Sequence, residues 1–185
     1  MRTIIFGPPG AGKGTQASLM KEKFNIPHLS TGEVFRTAIE NETILGRKVK
    51  SFLDEGKLVP DGVVTEVVVE ELQKPKYREG YILDGYPRTL GQAEAYDDFL
   101  ADNNRKLNAC LLLKVPEKEL VKRILTRGEG RSDDTKDKIK TRLSVYRNET
   151  APVLKHYKEQ NLLQKINGLG TVEEVFERIN KALTQ

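Results

Sequence analysis

The run TIIFGPPGAGKGT, residues 3–15, constrains what this chain can fold into more than any other stretch. A β-rich run stops directly at Gly7, a glycine-rich loop carrying Lys13 follows, and Ala17, Leu19, Met20 and Phe24 then recur at helical spacing. Strand, glycine loop and helix in that order make a phosphate cradle. Glycines let the backbone close around oxygens, amide N–H groups point inward, and the helix start adds about half a positive charge. Lys13 supplies a full charge beside the outer phosphates. An ordinary tight turn requires none of these features together. Against the general pattern G-x-x-x-x-G-K-[ST], Gly7, Gly12 and Lys13 fit, but Gly14 stands where the hydroxyl belongs and Thr15 brings it one residue late.

Short strand-like runs alternate with helix-length segments along the chain, at 3–6, 26–30, 81–84, 108–115 and 162–166. Being apolar on both faces, they predict a parallel sheet covered by helices on both sides, an α/β fold. Helix starts are marked at Ser30-x-x-Glu33, Thr89-x-x-Gln92 and Thr171-x-x-Glu174, each fitting a capping box, and at Pro116 before EKEL. The longest helical pattern covers 135–160. In GVVTEVVVEEL (62–72), Val67, Val68 and Val69 favour strand locally, whereas Val64, Val67, Val68 and Leu72 share a helical face; the expectation is helix.

A length of 185 residues suits one domain with a real core. Hydrophobic content of 37% beside 31% charged residues excludes a disordered chain. The net charge of +4 comes from 31 Lys and Arg interleaved with 27 Asp and Glu, which favours a small anionic ligand over nucleic acid. Cys110, in the apolar run ACLLLKV, is expected to be a buried small hydrophobe, and one Cys with two His excludes a disulfide framework or a Cys-rich zinc site. No leader or membrane-spanning pattern is present, so the expected compartment is the cytoplasm, with no membrane partner.

The loop G-x-P-G-x-G-K-G-T, here Gly7 to Thr15, resembles the variant of the nucleoside monophosphate kinases and, among them, of the adenylate kinases. The resemblance implies a P-loop three-layer fold with a five-stranded parallel sheet flanked by helices. It assigns Gly10, Ala11, Gly12, Lys13, Gly14 and Thr15 to ATP, with Thr15 on phosphate and Mg2+ held mainly by the nucleotide phosphates and waters. Further matches follow in the family's order along nearly the whole chain. HLSTGEVFR (28–36) looks like the segment whose threonine meets the adenine of AMP and whose arginine binds its phosphate, here Thr31 and Arg36. EGKLVPD (55–61) resembles the stretch whose backbone lines that adenine pocket, here Lys57, Leu58 and Val59.

YILDGYPRTLGQ (81–92) resembles the strand and loop in which Asp84 orients magnesium-bound water, Gly85, Tyr86 and Pro87 lead to Arg88 on the AMP phosphate, and Gln92 reads the adenine edge. Tyr86 stands where phenylalanine is more common. Capping alone also accounts for Ser30 with Glu33 and for Thr89 with Gln92. Asp84 is harder to explain that way, because a carboxylate ending a buried strand is costly without a cation or donors opposite. Both Gly7 and Asp84 fall at carboxyl ends of strands, where ligands sit in open α/β sheets.

LVKRILTRGEGRSDD (120–134) puts Arg123 and Arg127 four apart on one helical face and Arg131 past two glycines, and Arg142 follows. A solvated face would read the same way. The resemblance brings all four to phosphates, Arg123 and Arg127 from the ATP side, Arg131 and Arg142 reaching the AMP side, so that the catalytic set is Lys13, Asp84, Arg88, Arg123, Arg131 and Arg142. Guanidinium suits this work because its planar fork stays charged and grips oxygens in pairs. KINGLGTVEEVF (165–176) resembles the loop over the ATP base, pointing to the backbone of Gly170, although a plain strand-to-helix turn explains it equally well. Residues 127–134 correspond to the family's lid, two residues shorter than its usual short form and without cysteines, so no zinc-bearing lid is implied. The expected organisation is one domain, 1–185, with a core of 1–29, 60–126 and 135–185, a helical NMP-binding insert at 30–59 and a short lid at 127–134. The resemblance also suggests a monomer.

A Ser-His-Asp arrangement, paired carboxylates and a metal cluster are all missing from the sequence pattern, and phosphoryl transfer between two nucleotides needs none of them. The implied reaction is ATP + AMP ⇌ 2 ADP. UMP/CMP kinases share that mechanism but tend to carry alanine in place of Thr31 and asparagine near Gln92. A P-loop switch or binding ATPase would leave the second-site residues idle and would call for an N-K-x-D element that this chain lacks. A nucleic-acid module is disfavoured by 6% aromatics with no interleaved basic stripe.

Overall fold

Successive side chains of a strand point to opposite faces of a sheet, and in the central strands both sets are buried, whereas the edge strand Leu163–Asn167 carries Gln164, Lys165 and Asn167 and does not meet the expectation of two apolar faces. The structure, a computed structural model, describes residues 1–126 and 134–184. Strands β1 (Arg2–Phe6), β2 (His28–Ser30), β3 (Tyr81–Asp84), β4 (Ala109–Lys114) and β5 (Leu163–Asn167) pair in parallel, in the order β2-β3-β1-β4-β5. The helices are α1 (Lys13–Phe24), α2 (Thr31–Glu40), α3 (Ile44–Asp54), α4 (Asp61–Gln73), α5 (Leu90–Asp102), α6 (Glu117–Thr126), α7 (Lys136–Val145), α8 (Val153–Glu159) and α9 (Val172–Thr184).

Ile4, Phe6, Tyr81, Leu83, Cys110 and Leu112 face one way and pack against Val64, Val68 and Leu72 of α4, Ala93 and Tyr96 of α5, and Val153 and Tyr157 of α8. Phe35 of α2 and Val49 of α3 join the same cluster. Ile5, Ile82, Leu111 and Leu113 face the other way, onto Ala17 and Met20 of α1, Leu120 and Ile124 of α6, Ile139 and Leu143 of α7, and Val175 and Ile179 of α9. Each Val, Leu, Ile, Phe or Met among them contributes about 1.5–3 kcal/mol by leaving water, so neither helical layer can be peeled off cheaply. Cys110 is fully buried, as its apolar run predicts, and burial pushes its thiol pKa up.

The Val64, Val68 and Leu72 stripe, spaced by four, settles the β-branched segment as helix: α4 runs Asp61–Gln73 with those three residues buried. The pattern at 135–160 does not hold as one helix. It breaks into α7, a π turn over Tyr146–Thr150, and α8. The Ala151 N–H donates to the Tyr146 carbonyl at 2.8 Å, a wider closure than the α-helical one, and Pro152 follows with no N–H to continue the ladder. The turn buries Thr150 and re-aims the chain, so α8 packs on the α4 and α5 face while α7 packs on the α1 face.

Register places the chemistry. Ile5 of β1 pairs with Asp84 of β3, so the loop that begins at Gly7 and the loop that begins at Gly85 leave adjacent strands at the same edge. Carboxyl ends of neighbouring parallel strands are where an open α/β sheet leaves a crevice.

Candidate active site

The loop at the end of β1 is shaped by its glycines. Gly10 has φ +82°, and a Cβ there would lie 2.7 Å from the Leu120 carbonyl oxygen, so backbone conformation and close packing on α6 both exclude a side chain. At Gly12 and Gly14 an added Cβ would meet nothing within 4 Å, which leaves open space over the loop and the start of α1. Among the described residues no side chain caps α1, and its first turn carries no acid, so its start suits an anion. Lys13 Nζ donates to the Gly7 carbonyl at 2.8 Å and the Pro8 carbonyl at 3.3 Å, folding the ammonium back over the loop. Gly14 and Thr15 are exposed, whereas Ala11 is buried and offers only backbone.

At the end of β3, Asp84 is 8% exposed. Burial pushes its carboxyl pKa up, but His28 and the positive charges of Lys13 and Arg88 outweigh that and hold it below the ordinary aspartate value. His28 Nε2 lies 3.8 Å from Asp84 Oδ2. Gly85 has φ +84°, and a Cβ on it would stand 2.6 Å from Thr31 Oγ1. That hydroxyl donates to the Gly85 carbonyl at 3.0 Å, and Arg88 Nε donates to the same oxygen at 2.8 Å. Tyr86–Pro87 is a cis peptide.

Gln92 opens α5. Thr89 Oγ1 caps that helix by accepting the Gln92 N–H at 3.2 Å, but the Gln92 side chain does not close the capping box. Its Oε1 accepts the Arg88 N–H and its Nε2 donates to Asp61, each at 2.7 Å. Thr171 and Glu174, by contrast, make both halves of a capping box. The amide of Gln92 is therefore shaped by something other than helix capping.

These parts share one cleft of about 790 Å³. From the first loop it is lined by Gly10, Gly12, Lys13, Gly14 and Thr15; from α2 and the α3–α4 connection by Thr31, Arg36, Lys57, Leu58 and Val59; and from the β3 end by Asp84, Gly85, Arg88 and Gln92. Arg142 of α7 also reaches it, 2.8 Å from Asp134 Oδ1 and lying against the backbone of Gly56. A smaller adjoining cavity of about 90 Å³ takes in Tyr86 and Pro87 with Lys13, Arg88 and Arg142.

A family model described as adenylate kinase matches residues 5–162, most of the chain. The chain belongs to the adenylate kinase family. It is 50% identical over 183 residues to an adenylate kinase of Mycobacteroides abscessus and 48% identical over 183 residues to one of Nocardia farcinica, each covering 99% of both chains. An adenylate kinase of Leptospira biflexa is 46% identical over 184 residues, with 98% of this chain and 99% of the relative covered. The protein is thus an enzyme of the adenylate kinase family with the α/β architecture that its strand pattern predicts.

Three residues expected at the adenylate kinase site stand apart from the cleft lining. Arg123 donates to Glu119 Oε1 at 2.8 Å and to the Gly168 carbonyl at 3.1 Å, so its guanidinium faces the β5–α9 connection. That bond holds the Glu119 carboxyl below its ordinary value. Gly170, φ +113°, sits in the same connection beside Glu174 and Arg178. Ala11 lies under the loop. Arg127 and Arg131, with the rest of 127–133, lie outside the described residues. Asp61, His28, Glu119 and Asp134, to which no motif gives a role, each lie against a candidate site residue. Asp61 ends EGKLVPD and His28 opens HLSTGEVFR, so both lie within motifs of the site.

Proposed function

We propose that the protein transfers the terminal phosphoryl group of MgATP to AMP, giving two ADP, and catalyses the reverse reaction. The observation that carries this reading is the single cleft lined both by the glycine loop with Lys13 and by Thr31, Arg36, Val59 and Gln92, with Asp84 and Arg88 on the same wall. A cleft for one nucleotide would not need both linings.

The acceptor is an AMP phosphate oxygen already ionised near neutral pH, so no side chain has to remove a proton. As that oxygen bonds to the γ phosphorus, the bond from phosphorus to the β–γ bridging oxygen breaks, and ADP leaves with the electron pair. The protein's task is to align two polyanions and meet the charge that shifts between them. The glycine-loop amides and Lys13 would hold the donor phosphates. Arg36, Arg88 and Arg142, with Arg131, would hold the acceptor phosphate, and Arg123 and Arg127 would close on the donor side. Thr31, the backbone of Lys57, Leu58 and Val59, and Gln92 would meet the acceptor base, and the backbone at Gly170 the donor base.

Among the described residues no group of three or more His, Cys, Asp and Glu could hold a metal ion by itself. A buried carboxylate kept ionised at the cleft wall instead fits Mg2+ carried by phosphates and water, with Asp84 accepting from its water ligands. The ion would supply neutralising charge on the phosphates. Residues 30–59 would act as the AMP-binding insert and 127–134 as a lid, shutting water out of the acceptor position. Both linings come from one chain, which supports action as a monomer, and cytoplasmic nucleotides would be its substrates. Among the described residues no helix is long and apolar enough to cross a membrane.

The test is a coupled rate assay with MgATP and each of AMP, UMP, CMP and GMP, run beside ADP alone. AMP is expected to be the best acceptor, and ADP is expected to yield ATP and AMP. A preference for UMP or CMP, or ATP hydrolysis indifferent to any acceptor, would overturn the reading.

A further inference from the structure

Gln92 is 1% exposed, and both ends of its amide are engaged. Oε1 accepts the Arg88 backbone N–H at 2.7 Å, and Nε2 donates to Asp61 Oδ1 at 2.7 Å. The second carboxylate oxygen of Asp61 accepts the Thr89 hydroxyl at 2.6 Å. An amide's oxygen and nitrogen are told apart by their partners, and here the partners are unequivocal: a backbone N–H only donates and an ionised carboxylate only accepts. Turning the amide over would set donor against donor at Arg88 and acceptor against acceptor at Asp61. Each end keeps spare capacity, one lone pair on Oε1 and one N–H on Nε2. Gln92 lines the cleft, whereas Asp61, exposed at the first turn of α4, does not.

We propose that Asp61 is a specificity-determining positioning residue, which by accepting from Nε2 fixes Gln92 so that its amide offers an acceptor beside a donor to a 6-aminopurine. This rests on the reading of Gln92 as the group that meets the acceptor base. Adenine carries an amino donor next to a ring-nitrogen acceptor, the complement of that arrangement. Hypoxanthine carries a carbonyl acceptor at the same carbon, next to an N–H donor, and would pair only with the inverted amide. Asp61 thus opposes 6-oxopurine nucleotides without touching them, because a buried polar group left facing its like is costly.

The experiment compares kcat/KM for AMP and IMP at saturating MgATP in the native protein, D61A, D61N and Q92A. D61A is expected to lower the preference for AMP over IMP by about tenfold, the loss of one fixed pairing, and to do so through KM for AMP more than through kcat. D61N, whose side-chain oxygen can still accept from Nε2, is expected to keep most of the preference. Both variants lose the negative charge at the start of α4, so a role confined to that helix would move them together and leave base preference unchanged. Q92A is expected to lose the preference outright. An unchanged preference in D61A, while Q92A loses it, overturns the inference and leaves the role of Gln92 standing. An unchanged preference in Q92A overturns both. Should D61A fail to fold, nitrogen-15 spectra of the native protein decide. Of the two Nε2 protons of Gln92, identified by their loss in Q92A, the one donated to Asp61 is expected to exchange slowly with solvent. Fast exchange of both protons overturns the inference.

Discussion

Lys13 and Asp84 are the two opposite charges that the strand ends bring to the cleft, and each can be tested alone. Lys13 is half-buried, donates to two carbonyls of its own loop, and its charge also acts on Asp84, so replacing it removes a fixed cation from the transferred group and leaves the buried carboxylate less compensated. K13M is expected to lower kcat by a factor of about 10² or more, as loss of one preorganised charge donor does elsewhere. A folded variant that turns over normally sinks the assignment. For Asp84 the folded-state pKa lies below the unfolded value. Its ionised form therefore contributes stability that is present above the ordinary aspartate range and is lost as pH falls through the folded value. D84N cannot gain or lose that contribution. Its melting temperature is expected to drop less than the native protein's between neutral and strongly acidic pH, and equal drops in the two proteins would contradict the shift.

At the scale of elements, Tyr86 ties the start of α5 to α4. Its hydroxyl donates to the Gln92 carbonyl at 3.0 Å and lies 3.2 Å from Thr65 Oγ1. Burial pushes its phenol pKa up to about 12, with the Thr65 bond acting downward and the charges of Asp61 and Asp97 adding to the rise. A folded value above the unfolded one means that stability is fully present below about pH 10 and is lost as pH rises toward about 12. Y86F is expected to cost about 1 kcal/mol at neutral pH, one net hydrogen bond, and to show a shallower loss of stability across that alkaline window by urea denaturation. An identical alkaline slope in Y86F would mean that the phenol does not titrate with folding. Tyr146, also pushed up to about 12 by burial, leaves part of the slope in place. The central strands were legible as short runs apolar on both faces, and α4 as a period of four, because burial selects both patterns. The break within 135–160 was not, because a π turn keeps the helical period nearly intact and is set by where Thr150 and α8 must pack. The glycine loop and the β3 loop were legible as contiguous motifs. The supports beneath them, Asp61 under Gln92 and His28 beside Asp84, join distant stretches, and no local spacing encodes which residues a sheet will bring together.

For the whole molecule the decisive property is that the two linings share one space. The glycine loop is fixed by β1 and α1, and the second lining comes from α2, the α3–α4 connection and the β3 end; only the parallel register of β1 with β3 sets the two beside each other. A ligand that spans both should therefore gain from both at once, since the second contact is made without a second loss of translational freedom. Two adenosines joined by a five-phosphate chain form such a ligand. Calorimetry is expected to find one molecule bound per chain, competing with ATP and with AMP alike. At a free concentration of about 100 times its Kd the folded state should gain about 2.7 kcal/mol, read as a rise in melting temperature. Binding of two molecules per chain, or competition with only one of the two nucleotides, would mean that the linings work separately, and direct transfer from one nucleotide to the other would lose its structural basis.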